Sequence, residues 1–178
     1  MKKLTVHKLT ATAAIAAIYA ALTVALGFMS YGGVQFRVSE AMCILPFFFP
    51  QTTWGLFAGC ILANIFSPTG MADMIFGSLA SLIACLLIAL IGKRCRRSGW
   101  GGQIAACLMP VVVNAVIIGA LIAWFSSGEG ESFAALFFMN ALSVGFGEAV
   151  VMFVLGLPLM RILPEKSYFR RFGEIFKS

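Results

Sequence analysis

Five polar side chains fall inside or at the edge of long apolar runs: Asn64, Asn114, Asn140 and Glu148, with Asp73 at a run's start. Each amide offers donors and an acceptor, and an ionised carboxylate accepts two parallel N–H bonds. A carboxylate at mid-membrane costs about 2.5–3.5 kcal/mol on insertion scales, so it faces a cavity or a partner. Asn140 precedes Glu148 by two i+4 steps and shares roughly its helix face. Interhelical hydrogen bonding is the plainer alternative, with Glu148 protonated or paired with an asparagine. Such bonds average about 0.6 kcal/mol, enough for a single Asn but a weak reason to sink a carboxylate with no cation nearby in its span. As a set on the outer half of the membrane, the five read as a pocket for a hydrogen-bonding solute.

The segment before the second apolar run adds Tyr31, Gly32, Gly33, Gln35, Phe36, Arg37 and Glu40. Its glycine pair and aromatic content suit a lid that folds over an outer pocket. A simple connector in which Arg37 pairs with Glu40 explains the charges but not the aromatics. Arg37, Glu40 and Trp54 therefore join the five as candidate substrate-binding residues. Tyr31, Trp54 and Trp124 offer stacking surface for a flat solute, or equally serve as interface-belt anchors. Trp100 reads as an interface-belt anchor.

Other chemistry is missing. There is no GxxxxGK[ST] phosphate cradle, GxSxG elbow or HExxH pair. The single histidine, His7, builds no zinc site, and no metal or cofactor is expected. Of the five cysteines (43, 60, 85, 95, 107), four sit in apolar runs as small hydrophobes. Only Cys95 lies among cations in a polar loop. A small membrane enzyme thus lacks any catalytic constellation, and a solute binder without an engine needs a partner.

The elements that must position these groups follow from composition. Of 178 residues, 61% are hydrophobic and 11% charged, against about 45–50% and 25% in soluble domains. A bilayer is the solvent, and residues 1–178 form one all-α membrane domain. Residues 9–29 make the first span, and this run exceeds the 7–15 residues of a signal-peptide core, which predicts a retained helix. Pro46 and Pro50 interrupt residues 41–66, leaving one kinked helix or two short ones, 41–50 and 52–66. Residues 72–92, 100–125 and 133–162 supply the rest.

Charge decides between five and six crossings. All Lys and Arg except Arg37, of 13 in total, cluster at the N-terminus, at 93–97 and at 161–177. Six crossings put all three clusters on one face, so the positive-inside rule predicts six helices with both termini cytoplasmic in a bacterial-type cell membrane. The outer connections are then 30–40, 67–71 and 126–132. No basic stripe alternates with exposed aromatics, so nucleic acid is not an expected partner.

Small residues form three seams. Ala13, Ala17, Ala21 and Ala25 run along one face of the first helix. Gly55, Gly59 and Ala63 form the second, and Gly77, Ser81, Cys85 and Ala89 the third. Close approach through such seams drives helix association in lipid. The second and third read as internal packing, and the first is long enough to serve another chain.

The run Val34, Gln35, Phe36, Arg37, Val38, Ser39, Glu40 and Ala41, followed by Leu45, Pro46, Gly55, Leu56, Phe57, Ala58, Gly59, Ala63 and Asn64, resembles the queuosine-precursor transporter (QueT) family. The run from Asp73 to Ala80 continues the likeness, which is strongest over 34–80 and weak beyond 100. Members of this family are substrate-capture (S) components of energy-coupling factor importers. The resemblance implies a six-helix fold with a short, proline-interrupted second helix. It also implies that the alanine stripe docks on a transmembrane scaffold subunit driven by two ATPase subunits. Its implied substrates are queuosine or 7-deazaguanine precursors: queuine, or the aminomethyl or cyano base. For such a base, Glu148 or Asp73 would take the N1–H and amine edge, an Asn amide would meet O6, and an aminomethyl cation would also want a carboxylate. Rival readings are an S component for another vitamin-like solute and an assembly subunit that binds no ligand. The latter predicts that Asn64, Asn114, Asn140 and Glu148 pair with one another around no outer cavity.

Overall fold

The computed structural model describes residues 2–31, 34–95, 99–128 and 132–177, and every regular element among them is helical. The first helix, α1 (Lys2–Ala25), ends in the short α2 (Gly27–Ser30). A 3₁₀ helix (Val38–Ile44) runs into α3 (Leu45–Phe48), where Pro46 occupies the first turn. Pro50 opens a second 3₁₀ turn, because its missing N–H rules out continuation of α3. The chain then reverses into α4 (Thr53–Asn64). A π-helical turn (Asp73–Gly77) leads into α5 (Ser78–Cys95), followed by α6 (Trp100–Ser126) and α7 (Phe133–Val150). A second π turn (Val151–Gly156) joins α7 to α8 (Leu157–Ile162), and α9 (Ser167–Lys177) closes the chain.

Four stretches are long and apolar enough to cross a bilayer: Val6–Ala25, Asp73–Cys95, Trp100–Ser126 and Phe133–Glu165. They coincide with the apolar runs at 9–29, 72–92, 100–125 and 133–162, making this a multi-pass membrane protein. The runs at 41–50 and 52–66 fall on Val38–Phe48 and α4, each shorter than the about 20 residues a straight span needs.

Backbones touch where the seams lie. A Cβ built on Gly55 would stand 2.7 Å from the Thr12 carbonyl, and one on Gly59 2.7 Å from that of Ala16. The second seam therefore locks α4 onto the buried face of α1, formed by Ile15, Ala16, Tyr19 and Thr23. The third seam is buried inside the bundle. Ala13, Ala17, Ala21 and Ala25 lie on the opposite, exposed side of α1. Gly119 brings α6 against Ala141 of α7, a contact that none of the three seams announces. The main apolar core gathers Tyr19, Ile44, Phe47, Leu56, Ile88, Met152 and Met160.

At the other end of the bundle from Asn64, α9 lies against Phe48 and Phe49. Phe49 sits 5.2, 5.7 and 6.0 Å from the rings of Phe169, Phe172 and Phe176. Arg170 and Arg171 remain exposed on the opposite face of α9. Arg161 stacks on the Trp100 ring at the same end.

Candidate functional site

The polar side chains converge on Arg37 and Glu40, which the 3₁₀ helix carries into the bundle. Glu40 is fully buried and accepts the Tyr19 hydroxyl at 2.6 Å, the Ser81 hydroxyl at 3.0 Å and the Cys43 thiol at 2.9 Å. Arg37 Nη1 stands 3.9 Å from Glu40 Oε1, and its guanidinium lies 5.9 Å from the Tyr31 ring centre. The pairing expected for a simple connector is thus present, but inside the protein instead of at its surface. Buried charges persist when paired and hydrogen-bonded, and Glu40 is saturated in this sense.

Asn64 ends α4 and is fully buried. Its amide donates to the Asp73 carbonyl at 3.0 Å, which the π turn presents, while its Oδ1 has no partner. Asp73 accepts the hydroxyls of Ser67 and Thr69 on one oxygen, Oδ2, the latter at 2.7 Å. Asp73 is buried and lies within Coulombic reach of Arg37.

Glu148 enters from α7. A Cβ on Gly147 would collide with the Gln35 backbone, and Phe36 meets Phe146 edge-on at 6.4 Å. Residues 35–37 therefore lie directly on the turn of α7 that carries Glu148. Its carboxylate is 3% exposed, takes a hydrogen bond from Asn114 and lies in the field of Arg37 and Glu40. Its Oε1 has no partner. Arg37 Nε is likewise buried and unpartnered. Buried polar atoms are normally satisfied, each orphan costing about 1–3 kcal/mol. Of six such side-chain atoms among the described residues, three lie in this cluster, the others being on Thr53, Gln103 and Arg161.

Beside this cluster a cavity of about 240 Å³ is lined by Tyr31, Gln35, Ser67, Thr69, Asp73 and Asn140 among others. The Tyr31 ring is its aromatic surface, fixed by a 2.6 Å bond from its hydroxyl to the Ala63 carbonyl. Asn140 bonds back to its own helix at Leu136. Eight residues separate it from Glu148, about 12 Å along the axis. Tyr31, Gln35 and Asp73 line the cavity and also touch Arg37, Gly147 and Asn64 respectively, whereas Arg37, Asn64 and Glu148 are not themselves among its lining residues.

A larger cavity, about 590 Å³, opens among Phe76, Leu79, Val116, Trp124, Phe125 and Phe133. Its walls are apolar and mostly exposed, so it presents itself to acyl chains and offers nothing to read a polar solute. Trp124 lies there, away from the polar cluster.

Of the sequence-predicted substrate residues, the structure brings together Arg37, Glu40, Asn64, Asp73, Asn114 and Glu148, with Asn140 on the cavity wall. It does not bring Trp54. That ring is 62% exposed on the first turn of α4, ten residues or about 15 Å from Asn64. Of the proposed lid, Tyr31, Gln35 and Phe36 pack as described, whereas Gly32 and Gly33 lie outside the described residues. Sequence reasoning passed over Tyr19, Ser81, Cys43, Ser67 and Thr69, which hold the carboxylates. Tyr19 carried a signal, being the one hydroxylated aromatic within the alanine-rich α1.

Residues 9–165 match the family described as QueT transporter. A similar curated protein is "Queuosine precursor transporter QueT" of Lactococcus lactis subsp. cremoris (strain MG1363), 35% identical over 107 residues. The aligned part is 58% of this chain and 63% of that protein, so the match spans less than two thirds of the relative's length. No solved structure matches the chain significantly. With nearly its whole length matched, the chain belongs to the QueT transporter family.

Proposed function

We propose that this protein is the substrate-capture component of an energy-coupling factor importer and binds a 7-deazaguanine precursor of queuosine from the outer face. The trio of unpartnered buried atoms carries the reading. Glu148 Oε1 and Asn64 Oδ1 lack donors, and Arg37 Nε lacks an acceptor. A deazaguanine supplies both kinds: its N1–H and exocyclic amine are donors, and its O6 is an acceptor. Glu148 suits the donor edge, and Arg37 suits O6.

The cavity's size supports a base. At about 240 Å³ it falls below the about 300–1,000 Å³ of drug-sized sites, room for a bicycle but not for a nucleotide. Tyr31 supplies stacking, as aromatics do for unpaired bases. A ligand-free assembly subunit calls for Asn64, Asn114, Asn140 and Glu148 to pair with one another around no cavity. Asn114 does bond Glu148, but Asn64 and Asn140 bond backbone carbonyls and a cavity lies beside Asp73, which supports the ligand-binding reading. The Lactococcus relative's name agrees in substrate class.

In this reading the chain crosses six times with both termini cytoplasmic. The 3₁₀–α3 segment and α4 make the second and third crossings, short because their ends meet the sunken polar cluster. Irregular backbone at membrane depth is tolerated where it lines a cavity. The exposed alanines of α1 leave a smooth track for a scaffold subunit, itself coupled to two ATPase subunits.

The test is a thermal-shift panel on the purified chain, since a ligand that binds only the native state raises the melting temperature. Deazaguanines are expected to stabilise it, and vitamins such as thiamine, riboflavin and biotin are not. Stabilisation by a vitamin and by no deazaguanine would transfer the site to that solute.

A further inference from the structure

The charges of the buried cluster do not balance. Arg37 stands against Glu40, which also collects the Tyr19, Ser81 and Cys43 donors. Asp73 and Glu148 accept hydrogen bonds only from neutral donors, two hydroxyls on the first and the Asn114 amide on the second, and share the field of the single Arg37 guanidinium with Glu40. Buried carboxylates are costly unless paired, and here three share one cation that ion-pairs directly with Glu40 alone. The positions of Asp73 and Glu148 differ as well. Asp73 lines the outer cavity, whereas Glu148 lies eight residues inward of the cavity residue Asn140 on the same helix.

We infer that Asp73 is the counter-ion for an ammonium group on the bound base while Glu148 reads its donor edge, so that the site selects amine-bearing deazaguanines over neutral ones. This assignment rests on the substrate reading proposed above. Both hydroxyl bonds to Asp73 end on Oδ2, and among the described residues no hydrogen bond reaches Oδ1. Ser67 and Thr69 therefore hold the carboxylate in place and leave one oxygen for a ligand in the cavity. Glu148 Oε1 is also unpartnered, but deeper. In 7-aminomethyl-7-deazaguanine the ammonium and the N1–H and amine edge project from different sides of a rigid bicycle. Two separated carboxylates, one at the mouth and one at depth, match that layout. The 7-cyano base would fill the same volume and leave Asp73 facing a neutral group.

The full chain in lipid nanodiscs, titrated calorimetrically with each base, tests this. The aminomethyl base is expected to bind at least about tenfold more tightly than the cyano base. Asp73→Asn should bring the aminomethyl base down to the cyano base's affinity while the cyano affinity stays within about twofold, which also shows that the variant folds. Equal affinities for the unaltered protein, or an Asp73→Asn variant that still prefers the amine, would overturn the assignment. If the variant does not fold, 7-methyl-7-deazaguanine against the unaltered chain decides: a preference for the aminomethyl base below about threefold refutes it. Absence of binding by every deazaguanine would instead remove the substrate reading, and this assignment with it.

Discussion

Replacing Glu148 by glutamine should separate binding from folding. The side chain is 3% exposed, its Oε1 is unpartnered, and only the Asn114 amide meets the carboxylate. Glutamine keeps length and volume but exchanges one acceptor for an NH₂ donor and removes the charge. A hydrogen bond to a charged group contributes about 1.5–3 kcal/mol. Losing it at the donor edge of the base weakens binding by roughly 10- to 150-fold. The ligand-free protein should respond the other way. A buried carboxylate with no cation of its own becomes a neutral amide that still bonds Asn114, so the melting temperature should hold or rise. Calorimetry on the deazaguanine and a thermal melt of the ligand-free chain, both in the same nanodiscs, read the two effects. Unchanged affinity would take Glu148 out of the site. Affinity and melting temperature falling together would show a structural role and refute the reasoning.

Three further outcomes follow from the packing. Gly59→Ala places a methyl 2.7 Å from the Ala16 carbonyl and 2.9 Å from Tyr19 Cβ; overpacking of this kind costs about 1–3 kcal/mol, seen as a lower melting temperature. Ala17→Trp alters only the exposed track of α1, so ligand affinity of the isolated chain should be unchanged while uptake and co-purification with a scaffold subunit are lost. Phe49→Ala removes the ring on which Phe169, Phe172 and Phe176 converge, each pair contributing about 0.5–1.5 kcal/mol; limited proteolysis should then cut within 163–177 faster than in the unaltered protein.

Hydropathy made the four long helices legible because a span must be apolar along its whole length, and that pattern needs no tertiary knowledge. The prolines at 46 and 50 marked an interruption for the same local reason but left a kink and a reversal equally open, and the choice between them rested on the distribution of Lys and Arg. The π turns at Asp73–Gly77 and Val151–Gly156 carry no hydropathic signature, since one extra residue in a turn leaves the apolar run intact. The amphipathic α9 was readable only as part of a basic cluster, although Phe169, Phe172 and Phe176 repeat at helical spacing. In the site, charged and amide residues stood out because lipid makes them anomalous. Their neutral supports, Tyr19, Ser67, Thr69 and Ser81, are unremarkable by type and gain meaning only when the fold brings them within 3 Å of a carboxylate. Trp54 shows the converse: its type suits stacking, yet residue type says nothing about which end of a helix a ring occupies.

A structure of the chain with 7-aminomethyl-7-deazaguanine bound tests the central claim most directly. The ring is expected on Tyr31, with its donor edge within hydrogen-bond distance of Glu148 and its amine beside Asp73. A base lodged instead among Phe76, Trp124 and Phe133, with Glu148, Asn64 and Arg37 still unpartnered beneath an empty outer cavity, would contradict it.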